Sequence, residues 1–278
     1  MVQRFSAIAW RKKALLMALI APLLLFTGAL SACSRQDGDA IRNLEIPVMV
    51  ADGESASHVL HARLYQPVHW RPEADAAPPG LLLIHRPGSN HKAWERFALR
   101  ARGVGYMLLA VDLRGHGEST APVDYPATYR DFERSHWMEC LEDISAARDA
   151  LLAAGANPEN IGVMGEGLSA NLATYWYRRN NDIQALVALS PGLDYEGIRT
   201  EPVVRELQYR PVLYLAGEDD SYSVRSATSL RDMTPGFAEL RTFQGFAFGA
   251  EIFEHSANAM EITLQWLDGI LKHDEDVD

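Results

Sequence analysis

Two cysteines in 278 residues leave this chain almost without thiol chemistry, since one intramolecular disulfide is the most it can form. Basic charge is also short: 26 Lys and Arg stand against 37 Asp and Glu, a formal net charge of −11. Such a surface repels phosphate backbones and anionic headgroups, which excludes nucleic acid as a partner and excludes attachment through a polybasic patch. Internal repeats and low-complexity tracts are missing as well, and nothing in the chain calls for a cofactor or a metal. Charge is absent altogether from Ala14 to Leu30, just after Arg4, Arg11, Lys12 and Lys13. A basic start, an apolar run and closing small residues are the layout of a secretory signal, so residues 1–32 are set apart from the fold. Pro22 interrupts the run, which argues against a spanning helix.

The run stops at Leu30-Ser31-Ala32-Cys33, which resembles the lipobox of bacterial lipoproteins. That resemblance implies that Cys33 is acylated, becomes the new N-terminus and anchors the protein to a membrane through its lipid. Cys140 is then left alone, and its helical spacing with Trp137, Ile144 and Leu151 marks it as packing rather than as a reactive thiol. The leader carries four basic and no acidic side chains, so the mature chain is more acidic than the whole. Ser34 after the cysteine suggests, by analogy with Gram-negative lipoproteins, the outer membrane with the domain facing the periplasm. Residues 33–43 read as a lipidated polar tether and residues 44–278 as one domain.

Within that domain, short apolar runs without alternation occur at Leu81 to Ile84, Met107 to Val111, Ile161 to Met164, Ala185 to Leu189 and Val212 to Ala216. Such runs suit strands buried on both faces. Helical spacing lies between and after them: Trp94, Phe97 and Ala98; Trp137 through Leu151; Ala259 through Ile270. Strand and helix in alternation predict an α/β fold, a doubly wound, mostly parallel sheet with helices on both faces. Glu45 to Val50 and Val59 to Tyr65, flanking Asp52-Gly53, predict an antiparallel pair at its edge. The longest gap, Pro122 to Ser135, is where a lid or rim belongs.

Several motifs in order resemble the α/β hydrolases, nearest the dienelactone-hydrolase-like and serine-aminopeptidase-like branch. Leu81 to His85 with Pro87-Gly88 looks like the third strand and oxyanion loop, and Asp112 to Ser119 like the loop after the next strand. Asn160 to Gly165 is similar to the entry of the nucleophile elbow, Pro211 to Asp220 to the acid-bearing strand, and Gly245 to Gly249 to the histidine loop. The resemblance implies an eight-stranded sheet and hydrolysis of carboxylic esters or amides. It also implies backbone oxyanion donors at Arg86 and Leu168, since Pro87 has no N–H.

At the reacting positions the resemblance fails. The elbow reads Gly165-Glu166-Gly167-Leu168-Ser169, with glycine where G-x-S-x-G puts its nucleophile, and glycine has no atom to acylate. The histidine loop reads Gly245-Phe246-Ala247-Phe248-Gly249, and Phe248 cannot accept a proton. Asp220 remains as the acid, with Asp219 the alternative. Without a histidine it is expected to be exposed, paired with a cation or shifted toward its neutral form. Ser169 points away from the elbow and suits capping or packing. Ser190, closing a strand, and His255, at the start of the last helix, are the best substitutes for nucleophile and base, though each has a plainer part in a turn or on a helix surface. His85 and His116 match structural loops. Glu166, Glu218, Asp219 and Asp220 together offer an acidic rim suited to a cation. Three functions follow as expectations: a non-catalytic envelope lipoprotein holding a small-molecule ligand or an envelope protein; an active serine hydrolase using Ser190 and His255; or a structural platform.

Overall fold

Leu81, Leu82, Leu83 and Ile84 show why an unbroken apolar run makes a strand. Leu81 and Leu83 enter one core and Leu82 and Ile84 the other, because successive side chains leave opposite faces of the sheet. The computed structural model describes residues 40–49, 56–126, 128–256 and 258–272. The apolar leader, Cys33 and the Asp52-Gly53 turn lie outside the described residues. No helix among those described is long and apolar enough to cross a membrane.

The elements run β1 (Ile41–Met49), β2 (Ala56–Tyr65), β3 (Gly80–Ile84), α1 (Glu95–Gly103), β4 (Met107–Val111), α2 (Arg134–Ala153), β5 (Ile161–Glu166), α3 (Leu168–Arg179) and β6 (Ile183–Leu189). A small hairpin of β7 (Asp194–Tyr195) and β8 (Ile198–Arg199) follows, then α4 (Glu201–Val204), β9 (Val212–Gly217), α5 (Ser221–Met233), β10 (Ala238–Phe243), α6 (Ile252–His255) and α7 (Ala259–Leu271). Eight strands form one sheet in the order β1-β2-β4-β3-β5-β6-β9-β10, parallel from β4 to β10 and antiparallel at the β1-β2 edge. Side chains of α2, α3 and α5 fill the core on one face; those of α1, α6 and α7 fill the other.

One boundary differs from expectation. β1 begins at Ile41, inside the stretch read as tether, and pairs Ile41 with Tyr65 and Asn43 with Arg63. Edge residues Arg42 and Asn43 are exposed, so no apolar alternation marks them. β10 and α5 also had no clear signature, since most of β10 is only partly buried at the far edge of the sheet. Cys140 is free and buried among the helical core residues, and burial pushes its thiol well up.

Behind the sheet's carboxyl edge, histidines act as scaffold. His85 is fully buried; its Nε2 accepts the Leu113 N–H at 3.0 Å and its Nδ1 donates to Arg86 O at 2.8 Å. Burial, with the neighbouring His116 imidazole, pushes it down to about 4. Asp143 on α2 collects Arg114 (2.7 Å) and His58 (3.0 Å), tying the helix to β2 and to the loop after β4.

Candidate active site

β5 ends at Glu166 and α3 begins at Leu168, so Gly167 alone makes the turn between strand and helix. It does so at φ +59°, ψ −126°, where a residue bearing Cβ is strained by roughly 1 to 3 kcal/mol. A Cβ placed there would lie 2.9 Å from both Cε1 and Cζ of Phe248 and 3.6 Å from Arg86 Cβ. The Phe248 ring therefore stands against the place from which a nucleophile would project. The Arg86 guanidinium lies 5.7 Å from the centre of that ring.

Glu166, the residue before the elbow, is fully buried and holds the two loops that flank it. Oε1 accepts the Arg86 N–H at 3.1 Å, while Oε2 accepts the Ala250 N–H at 2.8 Å and Arg86 Nη1 at 3.3 Å. Arg86 Nη2 reaches Glu251 at 2.7 Å. Gly249 permits this approach, because a Cβ at that position would fall on Glu166 Oε2. Burial pushes the Glu166 carboxyl up, against the pull of the Ala250 and Arg86 amides and the Arg86 charge. The expected oxyanion pair is thereby corrected: the Arg86 amide is engaged by Glu166, and Pro87 has none to offer. Leu168 keeps its place as the first amide of α3, a position with no intrahelical acceptor.

Asp220 is not exposed, and it makes no ion pair among the described residues. It is 8% exposed and caps α5, its Oδ1 accepting the Ser223 N–H at 3.2 Å, while Oδ2 is buried without a partner among the described residues. Ser190 Oγ is fully buried and accepts the Gly249 N–H at 2.9 Å, on a backbone held at φ +49°. It anchors the loop that carries Phe248. His255 is exposed at the end of α6, and no hydrogen bond or ion pair among the described residues joins it to Ser190 or Asp220. Ser169 is buried in the first turn of α3 and its hydroxyl has no partner among the described residues. The acidic rim does not form: Glu166 and Asp220 are buried inside the protein, while Glu218 and Asp219 face solvent.

Above the elbow lies a cavity of about 410 Å³, walled by the rings of Tyr129, Phe132, Trp137, Tyr195 and Phe248. Arg86, Arg130, Glu196 and Leu168 complete the polar part of its lining. Tyr129, Arg130 and Phe132 come from the segment read as a lid or rim. Trp137, Arg130, Tyr195 and the Glu166 clasp were missed at the sequence level. Arg86 and Glu166 are 80 residues apart, and no local pattern announces such a contact.

The order of the sheet, the positive-φ elbow after β5 and a pocket at the carboxyl edge define an α/β hydrolase fold. Residues 77–232 match the family described as serine aminopeptidase, S33, and the chain belongs to it. The match includes Gly167 and Asp220 and ends before Phe248. No curated protein matches the chain. Among solved structures, DcsB in complex with its substrate analogue is similar at a TM-score of 0.67 and 11% identity, covering 84% of this chain and 100% of that one. The α/β hydrolase GrgF from Penicillium sp. gives 0.65 and 13%, covering 84% and 99%. Dienelactone hydrolase from Anabaena variabilis gives 0.58 and 16%, covering 84% and 98%. At such identities the likeness is one of fold.

Proposed function

We propose that this chain is a non-catalytic member of its family, a lipid-anchored envelope protein that holds a small ligand in the cavity above Gly167. The observation that carries this reading is the fit of Phe248 to Gly167, ring carbons 2.9 Å from where a nucleophile's Cβ would sit. Nucleophile and base are replaced as a complementary pair rather than as two separate losses. The engaged Arg86 amide supports it further, since acyl transfer needs donors free to receive a developing oxyanion. An acting Ser190 and His255 are less well supported, one being tied to Gly249 and the other standing in solvent. For the anchor, support comes from Arg4 to Lys13, the apolar run and Leu30-Ser31-Ala32-Cys33; Ser34 supports the outer membrane.

Fluorophosphonate labelling alongside hydrolysis of short-chain nitrophenyl esters tests the central point. No serine should be labelled and hydrolysis should stay at the buffer rate; a labelled serine overturns the reading. Metabolic palmitate incorporation should vanish in Cys33→Ala, and label that persists there refutes acylation at that residue.

A further inference from the structure

The cavity's lining offers one guanidinium free of salt bridges among the described residues and one exposed carboxylate. Arg130 is exposed at its rim, its guanidinium 5.1 Å from the centre of the Tyr129 ring, and it makes no salt bridge among the described residues. Arg86 gives Nη1 to Glu166 and Phe248 O and one Nη2 hydrogen to Glu251. Of the five N–H groups on a guanidinium, this leaves Nε–H and the second Nη2–H. The Leu168 amide faces no intrahelical acceptor. Trp137, 2% exposed, lines the same cavity with its ring, while its indole N–H is buried out of reach of solvent and makes no hydrogen bond among the described residues. Against these donors stands one lining carboxylate, the exposed Glu196.

A ligand that supplies acceptors to Arg130 and to the first amide of α3 gains charge-assisted hydrogen bonds there. A cation would meet Arg130, while Arg86 is already matched by Glu166 and Glu251, so the five rings do not make an ammonium cage. Aromatic walls favour an apolar ring, and the exposed Arg130 guanidinium at the rim suits a carboxylate. A volume of about 410 Å³ suits a small molecule rather than a peptide segment. We propose that the cavity binds a small aromatic carboxylate, its ring among the aromatic walls and its carboxylate toward Arg130 and the Leu168 amide. This rests on the non-catalytic reading above, because a site without a nucleophile holds an acid without turning anything over.

Isothermal titration of the purified full-length protein with benzoate and trans-cinnamate tests it, with trans-cinnamamide and 3-phenylpropylammonium as uncharged and cationic counterparts. Cinnamate should bind at least about tenfold more tightly than the amide, and the ammonium should not register. Arg130→Gln should weaken cinnamate about fivefold and leave cinnamamide unchanged, a split that a general loss of folding cannot produce. Equal binding of acid and amide, preference for the ammonium, or no binding of either carboxylate to folded, ester-silent protein overturns the proposal and leaves the non-catalytic reading standing. Turnover of a cinnamate ester or fluorophosphonate labelling overturns that reading instead.

Discussion

A side chain at position 167 would meet two obstacles, and they can be measured separately. The backbone at φ +59° penalises any Cβ by roughly 1 to 3 kcal/mol, and the Phe248 ring leaves it only 2.9 Å. Gly167→Ala should therefore destabilise the protein by at least the strain cost. In a Phe248→Ala background the same change should cost less, by the part that comes from the ring. Urea unfolding of the four proteins in a double-mutant cycle checks this; strict additivity would mean that the ring does not press on the elbow. His85 gives a second prediction. Its folded value of about 4 lies below the ordinary 6.5, so between those values the unfolded chain takes up a proton that the folded chain refuses. Its neutral burial favours folding fully above pH 6.5, and that contribution is lost as pH falls toward 4, by on the order of 3 kcal/mol. Measured by urea unfolding from pH 7 to 4, stability should fall less steeply in His85→Gln than in the parent.

Between elements, Glu166 matters more than its position before the elbow suggests, because one carboxylate joins the end of β5 to the loops after β3 and β10. Its pKa is raised by burial, so the folded protein keeps a proton that the unfolded chain releases. Stability from this group is full below the ordinary value of 4.5 and declines as pH rises through the raised one. Relative to Glu166→Gln, the parent should thus lose stability on going from pH 4 to neutral; a difference that grows in the parent's favour over that range would contradict the assignment. Asp220 is the helix counterpart. As the N-cap of α5 it should cost about 1 kcal/mol or less on changing to Ala, since the loss of a cap is offset by removing the unpartnered Oδ2. Thermal unfolding reads this. Elements such as β3 and β5 were legible in the sequence because both of their faces are buried and the apolar run is unbroken. β10 and the first residues of β1 were not, since exposed edge positions carry no pattern.

Across the whole molecule, the order of motifs along the chain made the fold legible, while the contacts around the elbow were not. Gly167, Phe248 and Asp220 could be placed by spacing. That Ser190 would hold Gly249 and that Glu166 would occupy the Arg86 amide depend on contacts between residues far apart in sequence, whereas the Asp220 cap on Ser223 is local and was hidden only because the resemblance gave Asp220 another part. On the non-catalytic reading proposed above, this sets what is needed to give the site hydrolytic chemistry. Gly167→Ser with Phe248→His supplies both reacting groups, yet the Arg86 N–H would still donate to Glu166, leaving the Leu168 amide as the donor at the elbow. One missing oxyanion donor lowers turnover by roughly 100- to 1,000-fold, so the double variant should hydrolyse nitrophenyl butyrate only weakly. Adding Glu166→Met removes the competing acceptor while keeping length and apolar bulk, and should raise kcat by about 100-fold over the double variant. Circular dichroism should first show both variants folded, because Met leaves the Ala250 amide unpaired. Equal rates in the two folded variants would mean that the clasp on Arg86 is not what limits the restored site.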